Sequence, residues 1–127
     1  MESQEFSRIR KYLGKTQSKL ARLLCISTKS VQSFEQGWRN IPPHIERQLL
    51  YLLSLYRYRD NYTRDCWEIL QCPAEWRSKC AAWELKTGKI CWFVNGTMCH
   101  GTQQKDWFEK IELCRQCEVF KSIFPEI

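Results

Sequence analysis

Seven cysteines between residues 66 and 117 are the densest chemistry in this 127-residue chain. They stand at Cys66, Cys72, Cys80, Cys91, Cys99, Cys114 and Cys117, with gaps of 5, 7, 10, 7, 14 and 2 residues. Two thiolates at the Cys114-x-x-Cys117 spacing can share one tetrahedral ion, the other ligands coming from distant chain. Cys91 and Cys99 can complete a four-thiolate site, and Cys66, Cys72 and Cys80 are the remaining candidates. Zinc and iron–sulfur clusters accept the same donors. Bulky Trp67 and Trp92 are suited to shielding a cluster from water. The third reading is no metal, with buried cysteines, some of them oxidised in pairs. Seven is odd, so a complete disulfide framework within this segment is excluded. His100 follows Cys99 directly, a poor geometry for joint ligation, and His44 reads as a surface residue at a helix start.

The elements that must position these groups differ between the two halves. Residues 1–64 carry net charge +7 and residues 65–127 carry −1, which points only the first half at a polyanion. Phe6, Ile9 and Leu13 share one helical face, with Gly14 as a stop. Thr16 is an N-cap for a second helix bearing Leu20, Ala21, Leu23 and Leu24. Ser27 caps a third, with Val31 and Phe34 inside and Gly37 at its end. Pro42-Pro43 opens a fourth, whose apolar positions Ile45, Leu49, Leu52, Leu53 and Tyr56 keep helical spacing. The polar stretch Arg57–Arg64 marks a domain boundary, giving domains at 1–60 and 65–127. In the second, Pro73 is expected to start a helix with Trp76, Cys80 and Trp83 on one face, broken at Thr87-Gly88. Ile90–Val94 reads as a short strand, Asn95-Gly96 as a hairpin turn, and Gln104–Phe120 as a final helix burying Trp107, Phe108, Ile111, Val119 and Phe120. The expected fold class is mainly α, a helical bundle followed by a small Cys/Trp-rich α+β domain.

The run Thr16-Gln17-x-x-Leu20-Ala21-x-x-Leu24-x-Ile26-Ser27-x-x-x-Val31-x-x-Phe34-Glu35-x-Gly37 resembles the Cro/lambda-repressor-like (XRE) helix-turn-helix family over roughly residues 6–57. The resemblance implies that Leu20, Ala21, Leu24, Ile26, Val31 and Phe34 clamp two helices together and that the second of them, Thr28–Gln36, enters the major groove by its N-terminal end. Thr28, Lys29, Gln32 and Ser33 are then placed to reach base edges, with Ser30 beside them. Gln suits adenine and Lys suits guanine. Gln17 and the free N–H groups at its helix start can hold a phosphate oxygen. Lys19, Arg22, Arg39 and Asn40 are further backbone contacts. Glu35 is a structural position, and Arg39 is a candidate partner for it. Proteins of this type read paired half-sites on double-stranded DNA as symmetric homodimers. One residue departs from the pattern: Cys25 stands where the turn usually has Gly, and it is expected to be small, buried and apolar in role.

The pattern Cys66-Trp67-Glu68, Cys72-Pro73, Cys80-Ala81, Cys91-Trp92, Gly96-Thr97-x-Cys99 and Cys114-x-x-Cys117-x-Val119-Phe120 resembles the bacterial two-CW domain over about residues 65–121. Ala81 replaces the Pro expected after the third cysteine. This resemblance brings no established chemistry, so the thiols must be argued on their own.

Together these features lead to a cytoplasmic DNA-binding transcription regulator, not an enzyme, with a metal-binding or redox-responsive second half. The rivals are an adaptor whose Cys-rich half docks a partner protein, and a thiol oxidoreductase using Cys114 and Cys117. No Ser/His/Asp set, paired-carboxylate site, phosphate loop or small-molecule site is visible in the sequence. No run approaches the ~20 apolar residues of a membrane span, and the polar start MESQEFSRIRKY lacks the apolar core of a secretory signal.

Overall fold

The computed structural model describes residues 1–58 and 64–124. Among these residues the chain is mainly helical, with one two-stranded antiparallel hairpin. It divides into two compact units, Met1–Tyr56 and Arg57–Pro125. The stretch 57–64 expected as a boundary lies mostly outside the described residues. No described helix is long and apolar enough to cross a membrane.

The first unit is built from α1 (Ser3–Tyr12), α2 (Gln17–Leu24), α3 (Thr28–Gln36) and α4 (Pro43–Tyr58). Their starts are set by side chains that satisfy otherwise unpaired backbone N–H groups. Thr16 accepts from the Lys19 amide at 3.1 Å and Ser27 from the Ser30 amide at 3.0 Å, each cap contributing about 1 kcal/mol. Helix α3 ends at Gly37 in the left-handed conformation, φ 77°. The inward faces supply one core: Phe6, Ile9, Leu13, Leu20, Ala21, Leu24, Val31, Phe34, Ile45, Leu49, Leu50 and Leu53 are all buried. Phe6 meets Phe34 edge to face, with ring centroids 5.7 Å apart. Leu50 belongs to this core although the periodic reading of α4 passed over it.

The second unit has shorter pieces: α5 (Cys66–Leu70), α6 (Ala74–Arg77), α7 (Ala81–Glu84), β1 (Met98–Cys99), β2 (Thr102–Gln103), α8 (Trp107–Arg115) and α9 (Glu118–Ile123). Several expectations are corrected here. The helix expected from Pro73 is two helices, because Cys80 is extended (φ −103°, ψ 122°) and caps α7. The Ala81 amide then bonds the Gly96 carbonyl at 3.0 Å, which anchors the break.

Residues 90–94 are successive turns instead of a strand. The Ile90, Phe93 and Val94 amides bond the carbonyls of Thr87, Ile90 and Cys91 three residues back. Neighbouring Cys91 and Trp92 are both buried, so the inside–outside alternation of a strand is absent. The hairpin turns at His100-Gly101, not Asn95-Gly96. Both turn residues have positive φ (53° and 78°), as a two-residue loop between twisted strands requires. A side chain at Gly101 would also press on Trp76, at 3.0 Å. The final helix is broken at Cys117, which is extended (φ −83°, ψ 138°) and starts α9. Phe108 is 68% exposed and Trp107 half-buried, so neither fills the core as expected.

Cys25 adopts φ 57° and ψ 41°, the left-handed region that favours glycine, in keeping with the Gly usual at this position of the turn. Its side chain is exposed, which corrects the expectation of burial. Since an exposed thiol contributes little packing, relief of backbone strain should dominate on substitution. Cys25→Gly is expected to raise the unfolding free energy by up to about 1 kcal/mol, read as a higher urea midpoint at unchanged slope; a lowered midpoint would contradict this.

Candidate nucleic-acid interface and cysteine-lined cavity

Helix α3 is held from one side. Val31 and Phe34 point into the core, while Lys29, Gln32 and Gln36 occupy the opposite, exposed face. Glu35 fixes its C-terminal half: Arg10 makes a bidentate ion pair with its carboxylate. Gln17 donates to the same carboxylate at 3.2 Å. Burial pushes the Glu35 carboxyl up, but the hydrogen bonds from Arg10, Gln17 and Ser7 and the charge of Arg10 outweigh it. The group sits below its ordinary 4.5. Arg10 also reaches the Lys15 carbonyl at 3.0 Å, so one guanidinium ties α1, the α2 entry and α3 together.

The residues singled out for DNA fall into two sets. Lys19, Lys29, Gln32, Arg39 and Asn40 are exposed, as is Arg22. Thr28, Ser30, Ser33 and Gln17 are half-buried. Gln17 already uses its amide on Glu35. Ser30 shares a hydrogen bond with Ser27 at 2.9 Å and accepts from Arg39 at 3.1 Å. Arg39 also lies over the Phe34 ring, 5.1 Å from its centroid. Arg39 is therefore aligned along α3 by Ser30 and Phe34, not by Glu35. Trp38, which sequence reasoning passed over, is 76% exposed at the end of α3 beside Arg39. A Trp just past the helix-ending Gly37, in a chain whose other tryptophans lie beyond residue 66, was the available signal.

In the second unit one cavity of about 30 Å³ is lined by all seven cysteines, together with Leu70, Ala82, Trp92, Thr97, Met98, Leu113, Val119 and Phe120. The cysteines come from most elements of the unit. Cys66 opens α5, Cys72 follows it, Cys80 caps α7, Cys91 lies in the turns, Cys99 ends β1, Cys114 is on α8 and Cys117 starts α9. Cys66, Cys91, Cys114 and Cys117 are buried, and the other three half-buried. Among the described residues no three His, Cys, Asp or Glu side chains are gathered tightly enough to hold one metal ion. His100, at the hairpin turn, and His44, in α4, are exposed.

Their protonation follows from the surroundings. Cys66 and Cys91 share a hydrogen bond that holds the Cys66 thiol below its ordinary value and drives the deeply buried Cys91 well above it. Burial raises Cys72 and Cys99, the latter partly offset by a hydrogen bond with Thr97 and the charge of Lys110. Burial raises Cys114 from 9.0 to about 11. Compared with protein-family profiles, with curated proteins and with solved structures, the chain matches none.

The Cys114 thiol makes folding depend on alkali. The unfolded chain releases this proton near pH 9.0 and the fold holds it to about 11. Its contribution is thus complete below 9 and lost as pH rises between those values, by roughly 2–3 kcal/mol. Chemical denaturation of the reduced, metal-free chain across pH 8–11 should show a decline that is shallower by this amount in Cys114→Ala. Parallel curves would contradict it.

Proposed function

We propose that this protein is a sequence-specific double-stranded DNA-binding regulator of transcription, of the Cro/lambda-repressor-like type. Helix α3 reads bases, and the cysteine-lined unit makes binding responsive to metal or redox state. The observation that carries the reading is the presentation of α3. It is clamped through Val31, Phe34 and Glu35 and offers Lys29 and Gln32 on its outer face. Exposed Lys19, Arg22, Arg39 and Asn40 belong to the same unit.

The chemistry of each group follows from that placement. Lys29 and Gln32, one helical turn apart, hydrogen-bond base edges in the major groove. Thr28 and Ser33 flank them. Arg39, aligned by Ser30 and Phe34, meets a phosphate, as do Lys19 and Arg22. Gln17 retains one amide proton for a phosphate while anchoring Glu35 with the other. A helix of nine residues spans few base pairs, so selectivity requires two copies on adjacent half-sites, and the protein acts as a homodimer in the cytoplasm. The role is binding, not catalysis.

The donor set of the cavity fits a soft metal. All seven cysteines line one hollow whose other walls are mostly apolar, and zinc or an iron–sulfur core takes such ligands. The residues that would hold it are drawn from Cys66, Cys72, Cys80, Cys91, Cys99, Cys114 and Cys117. Binding requires their protons to leave, so affinity rises with pH. A bound centre supplies either a fixed cross-link for a small core or, for iron–sulfur, an electron-accepting signal.

Duplex binding separates the two kinds of contact. Affinity for any duplex should fall with salt at a log–log slope of about −0.9 per neutralised phosphate. Lys19→Ala should weaken all duplexes alike and make the slope shallower by about one. Gln32→Ala should cost roughly 1–3 kcal/mol on the preferred site and little elsewhere. Equal loss on all sequences from Gln32→Ala, or no salt dependence, would overturn the reading.

A further inference from the structure

We infer that the cysteine-lined cavity is built around a net negative metal–thiolate centre and that Lys110 is its counter-charge. This rests on the metal arm of the function proposed above. Lys110 is 2% exposed, the one lysine buried among the described residues. Its ammonium donates to Thr97 Oγ1 at 2.9 Å, and among the described residues no carboxylate lies within ion-pair distance of it.

Thr97, itself fully buried in the cavity wall, is saturated. It accepts from Lys110 and from the Cys99 thiol at 3.3 Å, and donates to Gln104 Oε1 at 3.0 Å. The Gln104 amide nitrogen is in turn used on the Thr102 carbonyl. The ammonium is therefore buried with a hydroxyl as its hydrogen-bond partner and no ion pair, an arrangement that is costly unless an anion lies near.

Asp106 lines a polar hollow together with Lys110 but makes no ion pair with it, and the other groups near the ammonium that can become anions are cysteines. Lys110 precedes Cys114 by four residues and so shares its face of α8. The Thr97 hydroxyl joins the ammonium directly to the Cys99 thiol. As neutral thiols these residues give the ammonium nothing. As ligands they are thiolates, and several thiolates on one divalent ion, or on an iron–sulfide core, leave net negative charge for the lysine to balance. A second, independent observation agrees. Trp92 lines the same cavity and is 1% exposed, and its indole N–H has no acceptor among the described residues. Ligated sulfur or inorganic sulfide is an acceptor of the kind that donor lacks. Lys110 thus acts through the thiolates as a positioning residue: its charge stabilises the centre once formed.

Anaerobic titration of the reduced full-length chain with cobalt(II), and reconstitution with iron and sulfide, test this directly. Wild type should develop sulfur-to-metal charge-transfer absorption with cobalt, indicating a single-ion site, or a stable visible chromophore with iron and sulfide, indicating a cluster. In whichever form appears, Lys110→Met should bind about 10–100-fold more weakly. If it is a cluster, its reduction potential should also fall, because a positive charge has been removed. Metal-free Lys110→Met should melt at or above wild type, since without a centre the cation has no anion to balance. Affinity and potential equal to wild type, or a Lys110→Met chain that fails to fold, would overturn the counter-charge while leaving the metal reading intact. Absence of absorption from wild type with both probes would overturn the metal reading itself.

Discussion

The aim of α3 depends on one carboxylate. Glu35 is gripped by Arg10 from α1 and by Gln17 at the start of α2, and Arg10 also holds the Lys15 carbonyl in the turn between them. In the residue just before it, Phe34 meets Phe6 edge to face. The aromatic contact fixes how deeply α3 sits, and the ion pair fixes its rotation about its own axis. With rotation and depth both set, Lys29 and Gln32 have only one direction in which to point. Because the carboxylate is favoured over its protonated form, this arrangement persists well into mildly acidic conditions and is lost only as pH falls through the depressed value.

The second unit solves a different problem. Its helices are four to nine residues long and bury few large aliphatic side chains. Four cysteines, Trp92 and the buried pair Thr97–Lys110 stand where leucines would ordinarily be. Sulfur packs acceptably as a small apolar group, but an ammonium does not. A core that accepts a lysine and an unsatisfied indole N–H in place of hydrocarbon gives up stability unless something in the hollow answers them. That exchange is common at sites kept for function.

Much of the first unit was legible in the sequence. Thr16, Ser27 and Gly37 are capping residues in the places where helices begin and end, and Phe6, Ile9 and Leu13 repeat at helical spacing over a long enough run to count. The second unit was less so. Helices of four residues cannot display a 3.6-residue period, so α6 and α7 merged into one; α8 and α9 merged because only Gln116 and Cys117 separate them, too short a break to interrupt the apolar pattern. Ile90–Val94 has strand-forming side chains, yet its backbone closes on itself three residues back, a choice made by the surroundings of Cys91 and Trp92. The cysteines named themselves by residue type. Their meeting around one cavity, and the burial of Lys110 behind Thr97, are tertiary facts that spacing along the chain does not encode.

Whether α3 reads a base sequence is decided by selecting bound duplexes from a random-sequence pool with the full chain at low salt. Enrichment of a two-fold symmetric sequence is expected, with half-sites about one helical turn apart, 10–10.5 base pairs. A pool that stays random after repeated rounds, although the protein retains DNA, would contradict it.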